Sequence, residues 1–207
     1  MIQLLIHGPA PAEDSSRTCF GGLPVVPDGT AFSWPACKSC GGSMQFLGRI
    51  FSGVTEQKIV LLFMCQNEPG LCEEWDADAG GNTALVMQAS SLRSVSPSQD
   101  GDTLRPCRYG ADIVDVDAPD YEAAREIWAK QTGRPIRHVL GQAAGSPSWL
   151  QGDETPTCEC CREPMQLVAQ LEQGPDWETE MNFGGGGVAY AFACAVGKPT
   201  AKFLWQC

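Results

Sequence analysis

Eleven cysteines in a chain of 207 residues carry the most legible chemistry here. Cys37 and Cys40 form a Cys-x-x-Cys phrase within PACKSCGGSMQFLGRI (35–50), and Cys158 and Cys161 form another within PTCECCREPMQLVAQL (156–171). Such a turn lets two thiolates reach one ion, and a glycine directly after it, Gly41 in the first phrase, relaxes the backbone so that amides can donate to sulfur. Cys65 and Cys72 complete a set of four in the first half; Cys194 and Cys207 do so in the second, with Cys160 as a spare. Four sulfurs with no open position describe a structural, tetrahedral zinc site. The expected ligands are therefore Cys37, Cys40, Cys65 and Cys72 for one zinc, and Cys158, Cys161, Cys194 and Cys207 for another. In the second set Cys194 and Cys207 are far apart and no glycine follows Cys161. Buried free thiols, packed as small hydrophobes, are the alternative. A redox Cys-x-x-Cys belongs at the start of a helix, whereas strand-like sequence follows both phrases.

Metal is preferred to disulfides because the expected compartment is reducing. The opening MIQLLIHGPA has no basic stretch and only a short apolar run, unlike a secretory signal peptide. No run approaches the roughly 18 apolar residues of a membrane span. A cytoplasmic protein without a membrane partner is expected. The formal charge of −11, from 14 Lys+Arg against 25 Asp+Glu, argues against a nucleic-acid backbone as partner. It suits a basic protein partner, or simply solubility.

The elements that must position these cysteines read mostly as strands. Apolar runs at 2–6, 44–51, 58–65 and 83–89 are short and bounded by Gly, Pro, Asn or Asp. IVLLFM (59–64) lacks alternation, as a central strand covered on both faces would. Residues 93–106 read as a polar linker and 111–118 as a strand. APDYEAAREIWAKQTGRP (118–135) reads as a helix: Pro119, Asp120 and Glu122 suit its first turn, and Gly133 and Pro135 its end. Its buried stripe is Tyr121, Ala124 and Trp128. Strand-like sequence resumes at 165–171, 188–194 and 202–207.

At an offset of 121 residues Cys37, Cys40, Met44 and Gln45 fall on Cys158, Cys161, Met165 and Gln166. IVLLFMC (59–65) falls on VAYAFAC (188–194) once about eight further residues are allowed. The expected fold is thus mostly β (α+β), a tandem duplication of two small antiparallel-sheet units with one helix in the connection. The units are 1–92 and 138–207, joined by 93–137.

Other constellations are weaker. FGGGG (183–187) lacks the Lys-Ser/Thr of a phosphate loop and runs into a strand, so it reads as a hairpin or bulge. Asp112, Asp115 and Asp117 read as a solvated strand edge, and 73–78 as an acidic loop. His7 and His138 are isolated in sequence, and no Gly-x-Ser-x-Gly motif is legible.

FGGLPVVPDG…WPACKSCGGSMQFLGRI resembles the opening of the YwqG-like bacterial family and of the eukaryotic programmed cell death protein 2 family. Both carry a Gly-Gly-x-Pro turn, a proline-rich loop and a phrase leading into a strand. Cys37, Cys40, Cys65 and Cys72 are closer to the eukaryotic family, and GGGVAYAFACAVGKPTAKFLWQC is similar to its C-terminal segment. The resemblance covers both halves but not 93–137, where this chain has a helix and only Cys107 in place of a further zinc finger. It implies a mostly β fold with duplicated units and, for the eukaryotic relatives, a chaperone role toward a basic ribosomal protein. The resulting expectation is a zinc-stabilised, non-enzymatic protein-binding module, a chaperone or immunity-like partner of a basic protein. The alternative is an enzyme using Asp115, Asp117 or His138 in a cleft between the halves.

Overall fold

The apolar run at 58–64 has two faces to cover, and both are covered. In the computed structural model, which describes residues 1–52 and 57–207, this run is strand β5, Lys58–Met64. Ile59, Leu61 and Phe63 pack into one cluster with Val25, Val26, Met44 and Phe46, while Val60, Leu62 and Met64 face a larger one. That double burial is the physical reason the run shows no polar alternation.

Before it come β1 (Ile2–Gly8), β2 (Cys19–Gly21), β3 (Val25–Pro27) and β4 (Gln45–Ser52). After it come β6 (Asn82–Gln88), β7 (Leu92–Ser94) and β8 (Arg108–Val116), then helix α1 (Tyr121–Thr132). The chain closes with β9 (Val139–Ala143), β10 (Gln166–Leu171), β11 (Val188–Ala193) and β12 (Ala201–Gln206). The fold is mostly β with one α-helix among the described residues.

Ten strands form one antiparallel sheet in the order β12-β11-β10-β9-β1-β8-β2-β4-β5-β6, and β3 pairs with β7 in a separate ribbon. The segment 93–106, expected as a linker, thus contributes the end of a strand. Outward from the central β1–β8 pair the two flanks repeat one arrangement: β2, β4, β5, β6 on one side and β9, β10, β11, β12 on the other. β4 and β10 even break register at the same place, between Phe46 and Gly48 and between Leu167 and Ala169. β1 lies beside β9 of the later flank, and β8 beside β2 of the earlier one.

The sheet curls until its end strands meet, making a nearly closed barrel. Trp205 N–H donates to Trp75 O at 3.2 Å, and Lys202 pairs with Asp78 at 2.5 Å across this seam. Inside lie Leu5, Phe20, Leu62, Ala189, Ala191, Phe203 and Trp205, drawn from both flanks. Outside, three smaller clusters cover the sheet. The helix covers Leu4, Ile6 and Val116 with Tyr121, Ala124 and Trp128, the stripe its spacing predicts. Asp120 caps its start by accepting from Ala123 N–H at 2.9 Å, and Gly133 at φ 67° ends it.

Candidate metal centres

Each Cys-x-x-Cys phrase builds a knuckle just before a long strand. In the first, Cys37 N–H donates to Gly42 O and Gly41 N–H to Cys37 O, both at 2.9 Å, and Ala36 bridges to Ser43. In the second, Cys158 N–H donates to Glu163 O at 2.9 Å, Arg162 N–H to Cys158 O at 2.8 Å, and Thr157 bridges to Pro164. These bonds close the loop so that both thiols of each phrase face the same way. Cys65 and Cys194 follow β5 and β11 directly, and each strand's pairing with its neighbour carries that sulfur to the knuckle. Cys40 Sγ lies 3.7 Å from Cys65 Sγ, and Cys161 Sγ lies 3.7 Å from Cys194 Sγ.

The fourth sulfur of the first cluster, Cys72, comes from the long connection between β5 and β6. That connection wraps around the buried Glu74 carboxylate, which accepts from the amides of Gly70 and Cys72. The thiols of Cys37, Cys40, Cys65 and Cys72 lie within 4.8 Å of one another. An ion held by four thiolates at about 2.3 Å has sulfurs about 3.8 Å apart, a spacing the Cys40–Cys65 pair already shows and the other thiols can close to, so the cluster suits a tetrahedral ion. Asn67 Nδ2 sits 3.5 Å from Cys65 Sγ and 3.8 Å from Cys40 Sγ, as an amide donor toward thiolates would.

The amide of Gly42 holds the Cys40 thiol below its ordinary range, while burial pushes Cys65 up and Cys72 well up. Metal uptake must therefore expel protons, and affinity rises with pH.

The connection from β11 to β12 is much shorter and brings no cysteine back. Cys158, Cys161 and Cys194 lie within 4.8 Å of one another as a group of three. Beside them stands Thr200, whose Oγ1 is 3.3 Å from Cys158 Sγ. This hydroxyl, followed by the amide of Cys161, draws the Cys158 thiol down to about 6. Cys207, expected as the fourth ligand, is not in the cluster. It is exposed beside Gly184, beyond the far end of β12, about 20 Å of extended chain from Thr200. Cys160 is exposed at the knuckle tip, and Cys19 and Cys107 stand apart from both clusters.

The residues of the enzyme alternative do not converge. Asp115 accepts from Gln3 near the start of β1, and Asp112 pairs with Arg17. His138 instead meets His7 at the end of β1, ring centroids 5.3 Å apart, with Arg134 donating to His7 O. Burial first, then His138 and Arg134, lowers the His7 pKa. The two histidines of the chain are neighbours, a pairing of distant segments that no local signal announces.

Fold and clusters together define a class: a nearly closed antiparallel sheet carrying cysteine knuckles that can hold metal ions. No protein-family model matches the chain, and no curated protein matches it. No helix among the described residues is long and apolar enough to cross a membrane.

Proposed function

We propose that this protein is a zinc-stabilised, non-enzymatic binding module for a basic protein partner, chaperone-like or immunity-like in role. The observation that carries the reading is the closed set of Cys37, Cys40, Cys65 and Cys72, whose spacing fits a tetrahedral ion. Zinc suits an all-thiolate, closed set with no need of redox change. Such a site stabilises a loop rather than turning over a substrate.

The duplication expected from the sequence belongs to the same proposal. Its support is the repeated flank order, the matching register breaks in β4 and β10, and the two knuckles with the same backbone bonds. The resemblance to the YwqG-like and programmed cell death protein 2 families agrees with that reading. The formal charge of −11 supports the basic partner, with Glu73, Asp76, Asp78, Glu178 and Glu180 exposed on loops.

Two measurements test it. Metal analysis of protein purified without chelator is expected to find zinc, and its absence would sink the module's stated basis. Binding of lysine- and arginine-rich proteins from the native host is expected to exceed that of a generic basic peptide and to weaken with salt. Equal binding, or affinity indifferent to salt, would remove the partner claim.

A further inference from the structure

The two clusters differ in a way their shared knuckle conceals. In the first, every side is sulfur. In the second, three sulfurs stand together with an alcohol beside them, Thr200 Oγ1, 3.3 Å from Cys158 Sγ. No other cysteine belongs to the group: Cys207 is across the length of β12, and Cys160 is exposed and outside the three.

We propose that the second cluster is an open, exchangeable metal site. Cys158, Cys161 and Cys194 supply three thiolates to zinc, and the fourth place is taken by the Thr200 hydroxyl or a water. A thiolate or imidazole from outside can then displace that oxygen. This rests on the reading that the clusters hold zinc, and it assigns them different jobs: the first staples the fold, the second exchanges its ion.

Three observations carry it. The short β11–β12 connection folds Thr200 back on the cluster through Cys194 N–H donating to Thr200 O at 3.0 Å, so the backbone carries this residue to the cluster, where its hydroxyl meets Cys158 Sγ. Thr200 also lines a cleft of about 230 Å³ with Met165, Pro199 and Lys202. Cys194 is among the residues lining a second cleft, of about 360 Å³, so both clefts beside the cluster leave room for an incoming ligand.

The chemistry follows from charge. Three thiolates on a divalent ion leave the unit net negative, which weakens it as a Lewis acid and disfavours activation of bound water. What remains favourable is ligand exchange. An external thiol loses its proton to solvent, its sulfur bonds to zinc, and the zinc–oxygen bond breaks. No electrons change hands.

The test uses the full-length, zinc-loaded protein. Zinc release to a chromophoric chelator, with reduced glutathione as the external thiol, is expected in two phases of equal size, the faster one accelerated by the thiol. X-ray absorption should count between three and four sulfurs per zinc. Thr200→Cys is expected to abolish the fast phase and raise the count to four, and Cys160→Ser to leave both phases in place. A single phase with four sulfurs around every zinc would overturn the proposal, as would loss of the fast phase in Cys160→Ser. Zinc held by the first cluster alone would overturn this inference and spare the function proposed above, whereas no zinc at all would end both. The sulfur count of the unaltered protein decides the matter if Thr200→Cys does not fold.

Discussion

Arg162 occupies a backbone conformation that favours glycine. Its φ is 64°, and it stands where the first knuckle has Gly41 at φ 74°. Both residues donate their N–H to the first cysteine of the phrase, Arg162 to Cys158 and Gly41 to Cys37. The knuckle's hydrogen bonds therefore set the backbone and the side chain tolerates it, at a cost of about 1–2 kcal/mol for a left-handed non-glycine residue. Glycine removes that strain but loses more freedom on folding, about 0.5–1 kcal/mol. Arg162→Gly is accordingly expected to stabilise the metal-loaded protein by up to about 1 kcal/mol, and Gly41→Ala to destabilise it by a similar amount. Thermal unfolding of the two variants checks the pair; a drop in Arg162→Gly would show that the arginine side chain contributes something the backbone does not explain.

At the scale of elements, the helix is held by its docked face more than by its own propensity. Trp128 is buried against the β1–β8 face, and Arg134 lies over its ring with its guanidinium carbon 5.1 Å from the centroid. Tyr121 Oη donates to the Glu172 carboxylate at 2.8 Å, and Arg125 pairs with the same group at 3.1 Å, tying the helix to the end of β10. Trp128→Ala is expected to cost about 3–5 kcal/mol, the usual penalty for removing a buried large aromatic. Asp120→Ala, which deletes only the cap, should cost about 1 kcal/mol. Denaturant unfolding separates them, and similar losses would mean that the docked face matters less than the burial implies. The helix was legible because its caps and its stripe are local. The strands β2 and β9 were not: each is short, and Gly141 in β9 approaches Gln170 so closely that a Cβ would sit 1.9 Å from its carbonyl oxygen. That contact exists only once β10 lies alongside.

Across the whole molecule, the central β1–β8 pair joins the two flanks, β1 bordering the later one and β8 the earlier one. β1 pairs with β8 along its full length and with β9, and β8 pairs with β1 and β2. The interior cluster draws on both flanks, with Leu62 and Phe203 in one core. Cutting the chain after residue 92 would therefore strip β1 of both partners and open the core. The fragment 1–92 with zinc is expected to remain unfolded, and the intact chain to unfold in one transition by circular dichroism and fluorescence alike. A folded, zinc-binding fragment 1–92, or two separate transitions, would show that the flanks are independent.

The sequence by itself determined what depends on neighbours along the chain. A Cys-x-x-Cys phrase makes a knuckle through bonds spanning only a few residues, so Cys37, Cys40, Cys158 and Cys161 were legible, and their offset marked Cys65 and Cys194 after the matching strands. Double burial wrote itself into β5 as an unbroken apolar run. Cys72 was named by the sequence as the fourth member of the first cluster, but the tertiary structure alone decided which group stands beside the three sulfurs of the second. The β5–β6 connection is long enough to fold Cys72 back, whereas the short β11–β12 connection returns Thr200 and carries Cys207 to the opposite end of its strand. Threonine announces no metal chemistry in sequence, and its place beside Cys158 exists only because a strand and its return bring the two together. The meeting of β1 with β9, of His7 with His138, and of β6 with β12 at the seam is equally nonlocal. Each is settled by how a twisted sheet closes around one core, and pairings between distant segments leave no periodic mark on either of them.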